Sequence, residues 1–214
     1  MGKIRNAFIK LRNHYDCWQE RRKIKYTDFT IISNNCWSGL IYQKFGIRYA
    51  TPTIGLFFMD EDYIKFISNL DYYLSLPLNF IKPRETKYYN HLFAEKHQEI
   101  TYPIARLGDI EIFFMHYHSE KEAVEKWTKR ISRINRNRLL VEMSQRDTIG
   151  IDILQRFEAL PYKNKICFTA EEYQSQSGCI VHCSELHTLN IQGGDEITAT
   201  LKHINIYELI NSLK

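Results

Sequence analysis

Cys36 lies in the run Phe29-Thr-Ile-Ile-Ser-Asn-Asn-Cys-Trp-Ser-Gly39. Phe29 to Ile32 is a short β-branched, apolar stretch of the kind that forms a buried strand. Ser33, Asn34 and Asn35 are small polar residues that make turns and helix caps. From Trp37 the spacing of Leu40, Ile41 and Phe45 is helical, and Gly46 supplies the stop. A strand–turn–helix aims unpaired amides and the positive end of a helix dipole at the turn. A thiol there is expected to ionise more readily and to attack carbonyl carbon more readily. The competing reading is that Cys36 packs as one more small apolar residue. Oxyanion stabilisation by the amides of Asn35–Trp37 and substrate contacts from Ser33, Asn34, Asn35 and Trp37 follow from the first reading.

Nucleophilic catalysis also needs a base. The strand Ile110-Glu-Ile-Phe-Phe-Met115 ends at His116-Tyr-His118. If that strand lies in the same sheet as Phe29–Ile32, His116 and Tyr117 project from the edge that carries Cys36, because ligands in open α/β sheets bind at the carboxyl ends of the strands. Ser144 and Glu171 close two further strands on that edge, and Asp109 and Glu111 are the nearby carboxylates. Arg130 and Arg133 flank the apolar stripe of the following helix and suit a phosphate or carboxylate. Lys126, Lys129 and Arg136 fall on its solvated outer face.

Two further patterns carry chemistry. Asp60-Glu-Asp62 has the D-x-D letters of many metal-dependent glycosyltransferases, yet acidic residues in a first helical turn also serve capping and the dipole. Cys179-Ile-Val-His182-Cys183 with His187 offers soft ligands, without the paired spacing of a structural zinc site, and no metal is expected. No dinucleotide or P-loop glycine motif occurs, and Gly193-Gly194 reads as a hairpin turn.

These residues need a scaffold, and the chain alternates strands with amphipathic helices. Leu139–Glu142 and Lys165–Thr169 read as strands separated by a helix capped by Asp147. The helix opened by the capping box Ser119-Glu-Lys-Glu122 carries Val124, Trp127, Ile131 and Ile134. This pattern predicts an α/β fold with a mostly parallel, Rossmann-like sheet and helices on both faces. Residues 75–106 hold Pro77, Pro83 and Pro103 and read as an irregular insertion or a second small lobe. Weaker strands are expected over 178–182 and 187–191, with a last helix from Tyr207.

Residues 1–25 form a separate element. Ile4, Phe8, Leu11, Tyr15 and Trp18 make a helical stripe, and eight Lys/Arg face only Asp16 and Glu20. Such a helix either lies on an anionic membrane surface or docks on a protein body. Residues 26–214, the α/β domain, carry 21 Lys/Arg against 23 Asp/Glu, so no nucleic-acid-binding surface is expected. The absence of a signal-peptide core and of any run of ~18 apolar residues implies a cytoplasmic protein, at most peripheral to the inner face of the membrane. Five cysteines in that setting are expected as free thiols.

Several segments together resemble a bacterial family designated domain of unknown function 1919, whose members often bear the label exopolysaccharide biosynthesis protein. They are Ile32-Ser-Asn-Asn-Cys-Trp-Ser-Gly39, Thr51-Pro-Thr-Ile-Gly-Leu-Phe57, Asp62-Tyr-Ile-Lys-Phe66, Pro103-Ile-Ala-Arg-Leu-Gly-Asp-Ile-Glu-Ile112, His116-Tyr117, Lys126-Trp-Thr-Lys-Arg130 and Arg133-Ile-Asn135. They run in order through roughly residues 28–170, with Ser38 where the family usually has Gly. The resemblance implies an α/β fold and a place in surface-polysaccharide assembly, without an established reaction. Presumed capsule acetyltransferases are similar in placing Asn-Cys after their first strand. The implied function is a capsule or exopolysaccharide tailoring transferase, acyl transfer favoured. It would use Cys36 as nucleophile, His116 as base, a carbohydrate or activated sugar as substrate and an acyl-CoA or other activated donor. The alternatives are a non-catalytic component of a membrane-associated assembly complex and a glycosyltransferase.

Overall fold

The computed structural model describes residues 13–92, 100–145, 150–187 and 193–214. Residues 13–21 are helical (α1). β1 (Thr30–Ser33) is followed by α2 (Trp37–Phe45), α3 (Asp60–Ser68) and α4 (Leu70–Ser75). β2 (Asn79–Ile81), α5 (Tyr89–Leu92), β3 (Ile104–Leu107) and β4 (Ile110–Phe113) come next. α6 (Glu120–Ile131), β5 (Leu139–Ser144), α7 (Ile151–Ala159), β6 (Lys165–Thr169), β7 (Ile180–His182), α8 (Gly193–Thr200) and α9 (Ile206–Asn211) complete the chain.

The main sheet is wholly parallel, in the order β1-β5-β6-β7. Side chains alternate across it with the period of two that a pleated strand imposes. Ile31, Leu140, Ile166 and Phe168 face a core shared with Trp37, Ile41 and Phe45 of α2 and Ile206 and Ile210 of α9. Ile32, Val141, Met143 and Cys167 face the other way, onto Tyr63, Phe66, Trp127 and Phe157. Helices therefore cover both faces, and a mixed α/β fold with a parallel sheet is what the alternation predicts. A buried hydroxyl secures the second face: Tyr63 Oη lies 2.9 Å from the carbonyl of Ile32 and 2.6 Å from that of Glu142.

Residues 104–113 depart from expectation. β4 does not join the parallel sheet. It pairs antiparallel with β3, which pairs antiparallel with β2, in a separate three-stranded sheet. The cause is the two-residue connection Gly108-Asp109, with Gly108 at φ +66°. A link that short makes a hairpin, whereas parallel neighbours need a crossover of a dozen residues or more. Much of the stretch expected to be irregular is thus ordered by pairing. Asp62 ties this sheet to α3: its fully buried carboxylate accepts Lys87 Nζ at 2.6 Å and the Glu111 amide at 2.9 Å.

Three smaller expectations also change. Gly193 and Gly194 open a helix rather than turning a hairpin, and of the strand expected over 187–191 only His187, the end of a 3₁₀ turn over 184–187, lies within the described residues. α7 starts at Ile151 behind Gly150, while its expected cap, Asp147, lies outside the described residues, as do Ile4, Phe8 and Leu11. Val124 is 43 % exposed, and Trp127 alone anchors the middle of α6.

α1 rests on the body. Burial raises the Glu20 carboxyl, but hydrogen bonds from Lys23, Lys44 and Tyr207 outweigh it and hold the group at about 2. Gly46, in the left-handed region at φ +59°, stops α2, and a Cβ there would meet Cys17 Cβ at 2.8 Å. Any other residue would strain the backbone and push α1 away. Tyr15 and Trp18 stay 58 % and 40 % exposed, so these two members of the arm's stripe are not buried against the body.

Candidate functional site

The turn after β1 is built as expected, but its polar groups are occupied. Cys36 is the N-cap of α2 and is half-buried. The Trp37 amide donates to Asn35 Oδ1 at 2.8 Å, and the Ser38 amide to Ser33 Oγ at 3.2 Å. Two of the amides that a helix start leaves orphaned are thereby satisfied by the turn itself. Asn34 bridges to β5 in both directions, donating to the Ser144 carbonyl at 2.9 Å and accepting its amide at 3.1 Å. Trp37 Nε1 donates to Thr200 Oγ1 at 2.9 Å. Ser33, Asn34, Asn35 and Trp37 are each at most 1 % exposed. They hold Cys36 in place from behind and do not themselves face a ligand.

Behind the turn are two carboxyl groups that the search for residues at strand ends does not single out. Glu142 on β5 is fully buried, accepts a hydrogen bond from Ser144 Oγ through Oε1, and leaves Oε2 without a partner. Burial, and then the neighbouring Glu196, push its carboxyl well above the usual range. Glu196, 2 % exposed on α8, accepts Asn35 Nδ2 at 2.6 Å. The available signal was Glu142 itself, a lone carboxylate inside an apolar parallel strand, where an unpaired charge is costly.

The segment 54–58 brings the other predicted residues alongside. Phe58 N–H donates to the Asn34 carbonyl at 2.9 Å, Phe57 pairs with Phe113, and His116 N–H donates to the Gly55 carbonyl at 3.0 Å. Gly55 sits at φ +71°, and a Cβ there would come within 3.2 Å of His116 Cβ. Tyr117 is buried; its hydroxyl donates to the Ile54 carbonyl at 2.7 Å and accepts Arg130 Nη1 at 2.6 Å. Burial raises the Tyr117 phenol, Arg130 opposes the rise, and the nearby Cys36 thiol adds to it. Tyr117 thus ties Arg130 to the segment 54–58. His116 is exposed. It was expected on one sheet edge with Cys36, but His116 follows a strand of the other sheet and arrives by way of the Gly55 contact.

Arg130 and Arg133 do converge with further cations. A cleft of about 450 Å³ is lined by Arg48, Tyr49, Lys126, Lys129, Arg130 and Arg133, together with the C-terminal end of α2 around Tyr42 and Gly46. Among the described residues no carboxylate lines it. Arg130 is fixed by Tyr117 and lies over the Tyr49 ring at 5.3 Å, and Arg133 Nη1 donates to the Tyr49 carbonyl at 3.1 Å. Desolvation and the proximity of Arg48 and Arg130 lower the Arg133 guanidinium. Lys126 is paired with Glu122, whereas Arg48 and Lys129 have no acidic partner among the described residues. Lys126 and Lys129 are solvent-exposed, as their helical position predicts, and it is a cleft wall that they expose. The cations sit where two helices, α2 and α6, both end, so the dipoles favour them, and their number leaves positive charge for a ligand.

The soft-ligand residues of the tail have other contacts where they are described. Cys179 Sγ takes Ser177 Oγ at 3.1 Å and His182 Nε2 contacts the Ala170 carbonyl at 2.9 Å, while the His187 side chain lies outside the described residues. All five cysteines are free thiols. Among the described residues no helix is long and apolar enough to cross a membrane.

A model of the family described as Domain of unknown function (DUF1919) matches residues 7–212. An uncharacterized protein of Haemophilus influenzae (strain ATCC 51907 / DSM 11121 / KW20 / Rd) is 34 % identical over 171 residues, which are 80 % of this chain and 76 % of that protein. The family match takes in most of the arm and the tail, which the motif segments leave out.

Proposed function

The chain belongs to the DUF1919 family, and from that premise we propose that it is a tailoring transferase of surface polysaccharide, capsule or exopolysaccharide, acting on an anionic sugar. The observation that carries this reading is the cleft between α2 and α6, with five cationic side chains, an aromatic wall and, among the described residues, no carboxylate. Planar guanidinium groups suit the phosphate or carboxylate of an activated or acidic sugar, and Tyr49 offers a ring face to the sugar. Acyl transfer is the favoured reaction. Cys36 would attack the thioester carbon of an acyl-CoA or similar donor, releasing the donor thiol. A sugar hydroxyl would then take the acyl group and return the Cys36 thiol, with His116 moving the proton. Tyr117, bonded to Arg130 and to the Ile54 carbonyl, and Phe58, bonded to the Asn34 carbonyl, support a link between the cleft and the turn that holds Cys36.

The test is a calorimetric titration of the full chain with glucose 1-phosphate, glucuronate and glucose. The two anions are expected to bind and glucose is not, with Arg133→Ala weakening binding about tenfold, or about 1.4 kcal/mol. Absence of heat with both anions would overturn the reading. The role of the thiol has its own measurement: iodoacetamide is expected to modify Cys36 faster than the other four cysteines at neutral pH. Equal rates at all five would remove the covalent step.

A second reading, a non-catalytic component of an assembly complex, is favoured by the capped Trp37 amide, which leaves one donor fewer for a developing oxyanion. It requires that Cys36→Ser leave polymer production intact. The glycosyltransferase reading loses its support, because the buried Asp62 is committed to Lys87 and Glu111. We also infer that the protein is cytoplasmic and meets an anionic membrane surface through residues 1–24, with Tyr15 and Trp18 as exposed interfacial anchors.

A further inference from the structure

Three ligand-type side chains from two segments, 183–185 and the turn after α8, meet near the C-terminal end of the chain. Cys183 follows β7, and its amide donates to the Thr169 carbonyl at 2.8 Å, which fixes the residue against β6. Glu185 stands in the 3₁₀ turn 184–187, and His203 in the turn after α8. Cys183 Sγ is 3.6 Å from Glu185 Oε2, and His203 Nε2 is 2.9 Å from the same oxygen. All three ligand atoms lie within 4.8 Å of one another. The thiol side chain is fully buried, Glu185 is half-buried and His203 is open to solvent.

We propose that Cys183, Glu185 and His203 bind a divalent transition ion of the zinc type, leaving its fourth position open on the solvent side. Zinc takes thiolate, imidazole and carboxylate in a tetrahedron, with bonds of about 2.3 Å to sulfur and about 2.0–2.2 Å to nitrogen and oxygen. Those bond lengths place neighbouring ligand atoms about 3.5 Å apart. The sulfur–oxygen spacing already has that value, the nitrogen–oxygen spacing has to open by about half an ångström, and the sulfur–nitrogen spacing has at most about 1.3 Å to close. A soft sulfur beside nitrogen and oxygen selects zinc or cobalt over calcium and magnesium.

A cation bound here would be held by the thiolate form of Cys183. On binding, the thiol proton leaves to solvent as the sulfur–metal bond forms, so affinity rises with pH. Lys202 Nζ, 3.5 Å from Glu185 Oε1, opposes the ion and must swing away, which its exposure permits.

The experiment uses the full chain freed of metal by chelator. Zinc chloride is titrated calorimetrically, and cobalt chloride is followed by absorption. One equivalent of each is expected, with a thiolate-to-cobalt charge-transfer band in the near ultraviolet. Cys183→Ser is expected to abolish that band, and His203→Ala, an exposed change that spares the fold, to weaken zinc binding at least tenfold. Lys202→Ala is expected to bind at least as tightly as the parent. A charge-transfer band that persists in Cys183→Ser, or zinc affinity unchanged by His203→Ala, overturns the assignment. In that case the three residues form only a surface ion pair beside a buried thiol.

Discussion

Glu142 is the residue whose surroundings conflict most with its chemistry. It is fully buried, one oxygen lacks a partner, and Glu196 adds repulsion, so it keeps its proton far above the pH at which an unfolded glutamate loses it. Between those two values the folded state holds one proton more than the unfolded state. Stability must therefore fall as pH rises across that window, by up to about 1.4 kcal/mol per pH unit. Glu142→Gln is expected to remove the dependence and to be the more stable protein above neutrality. Urea unfolding of both proteins at about pH 5 and about pH 7.5 measures it, and parallel pH profiles would count against a protonated Glu142. The same residue accepts a hydrogen bond from Ser144, whose backbone pairs with Asn34 in the turn that leads to Cys36. Its retention at a stability cost agrees with a role in shaping the turn.

At the scale of elements, the decisive joint is between α3 and the small sheet. Asp62 sits in the first turn of α3, where a carboxylate suits the helix dipole. It also reaches the Glu111 amide and Lys87, so one side chain joins a helix, a strand and the α5 region. Burial outweighs Lys87 and raises the Asp62 carboxyl, which shows that the environment is dry. Asp62→Ala is expected to cost about 2–4 kcal/mol, because it strands a buried amide and an ammonium. Chemical denaturation reads this directly, and a loss below about 0.5 kcal/mol would mean that the joint is not structural. The consequence for the site is positional: β4 leads into Phe114, Tyr117 and His116, so slack in this joint reaches Tyr117 and the cleft.

At the scale of the molecule, charge is divided between arm, body and cleft. The nearly neutral body concentrates positive charge in one place, between α2 and α6, and α1 borders that place through Gly46 and Gln43. Arg21 Nη1 donates to the Gly46 carbonyl at 3.4 Å, and Tyr15 and Trp18 of the same helix are exposed. The double variant Tyr15→Ser, Trp18→Ser is expected to lose sedimentation with phosphatidylserine-containing vesicles, with its stability changed by less than about 0.5 kcal/mol. Undiminished sedimentation would refer membrane contact to another surface. Truncating the whole arm is a poorer test, since Lys23, Ile24 and Lys25 are tied to Asn211 and the core.

Periodicity and local chemistry alone determined the parallel α/β core, the strand–turn–helix around Cys36, the cap at Ser119 and the outward face of Lys126 and Lys129. Each of these depends on neighbours a few residues apart in the chain. Only the tertiary structure decided that β4 belongs to a second sheet, because pairing partners are set by loop length and packing, not by the strand's own letters. It likewise decided that Ser33, Asn35 and Trp37 are consumed in building the turn, since burial depends on what covers them, here α8. Arg48 joins Arg133, and Cys183 meets His203, across long stretches of chain whose meeting no spacing rule encodes. Cations and ligands become sites through convergence in space, and that convergence is a property of the folded core.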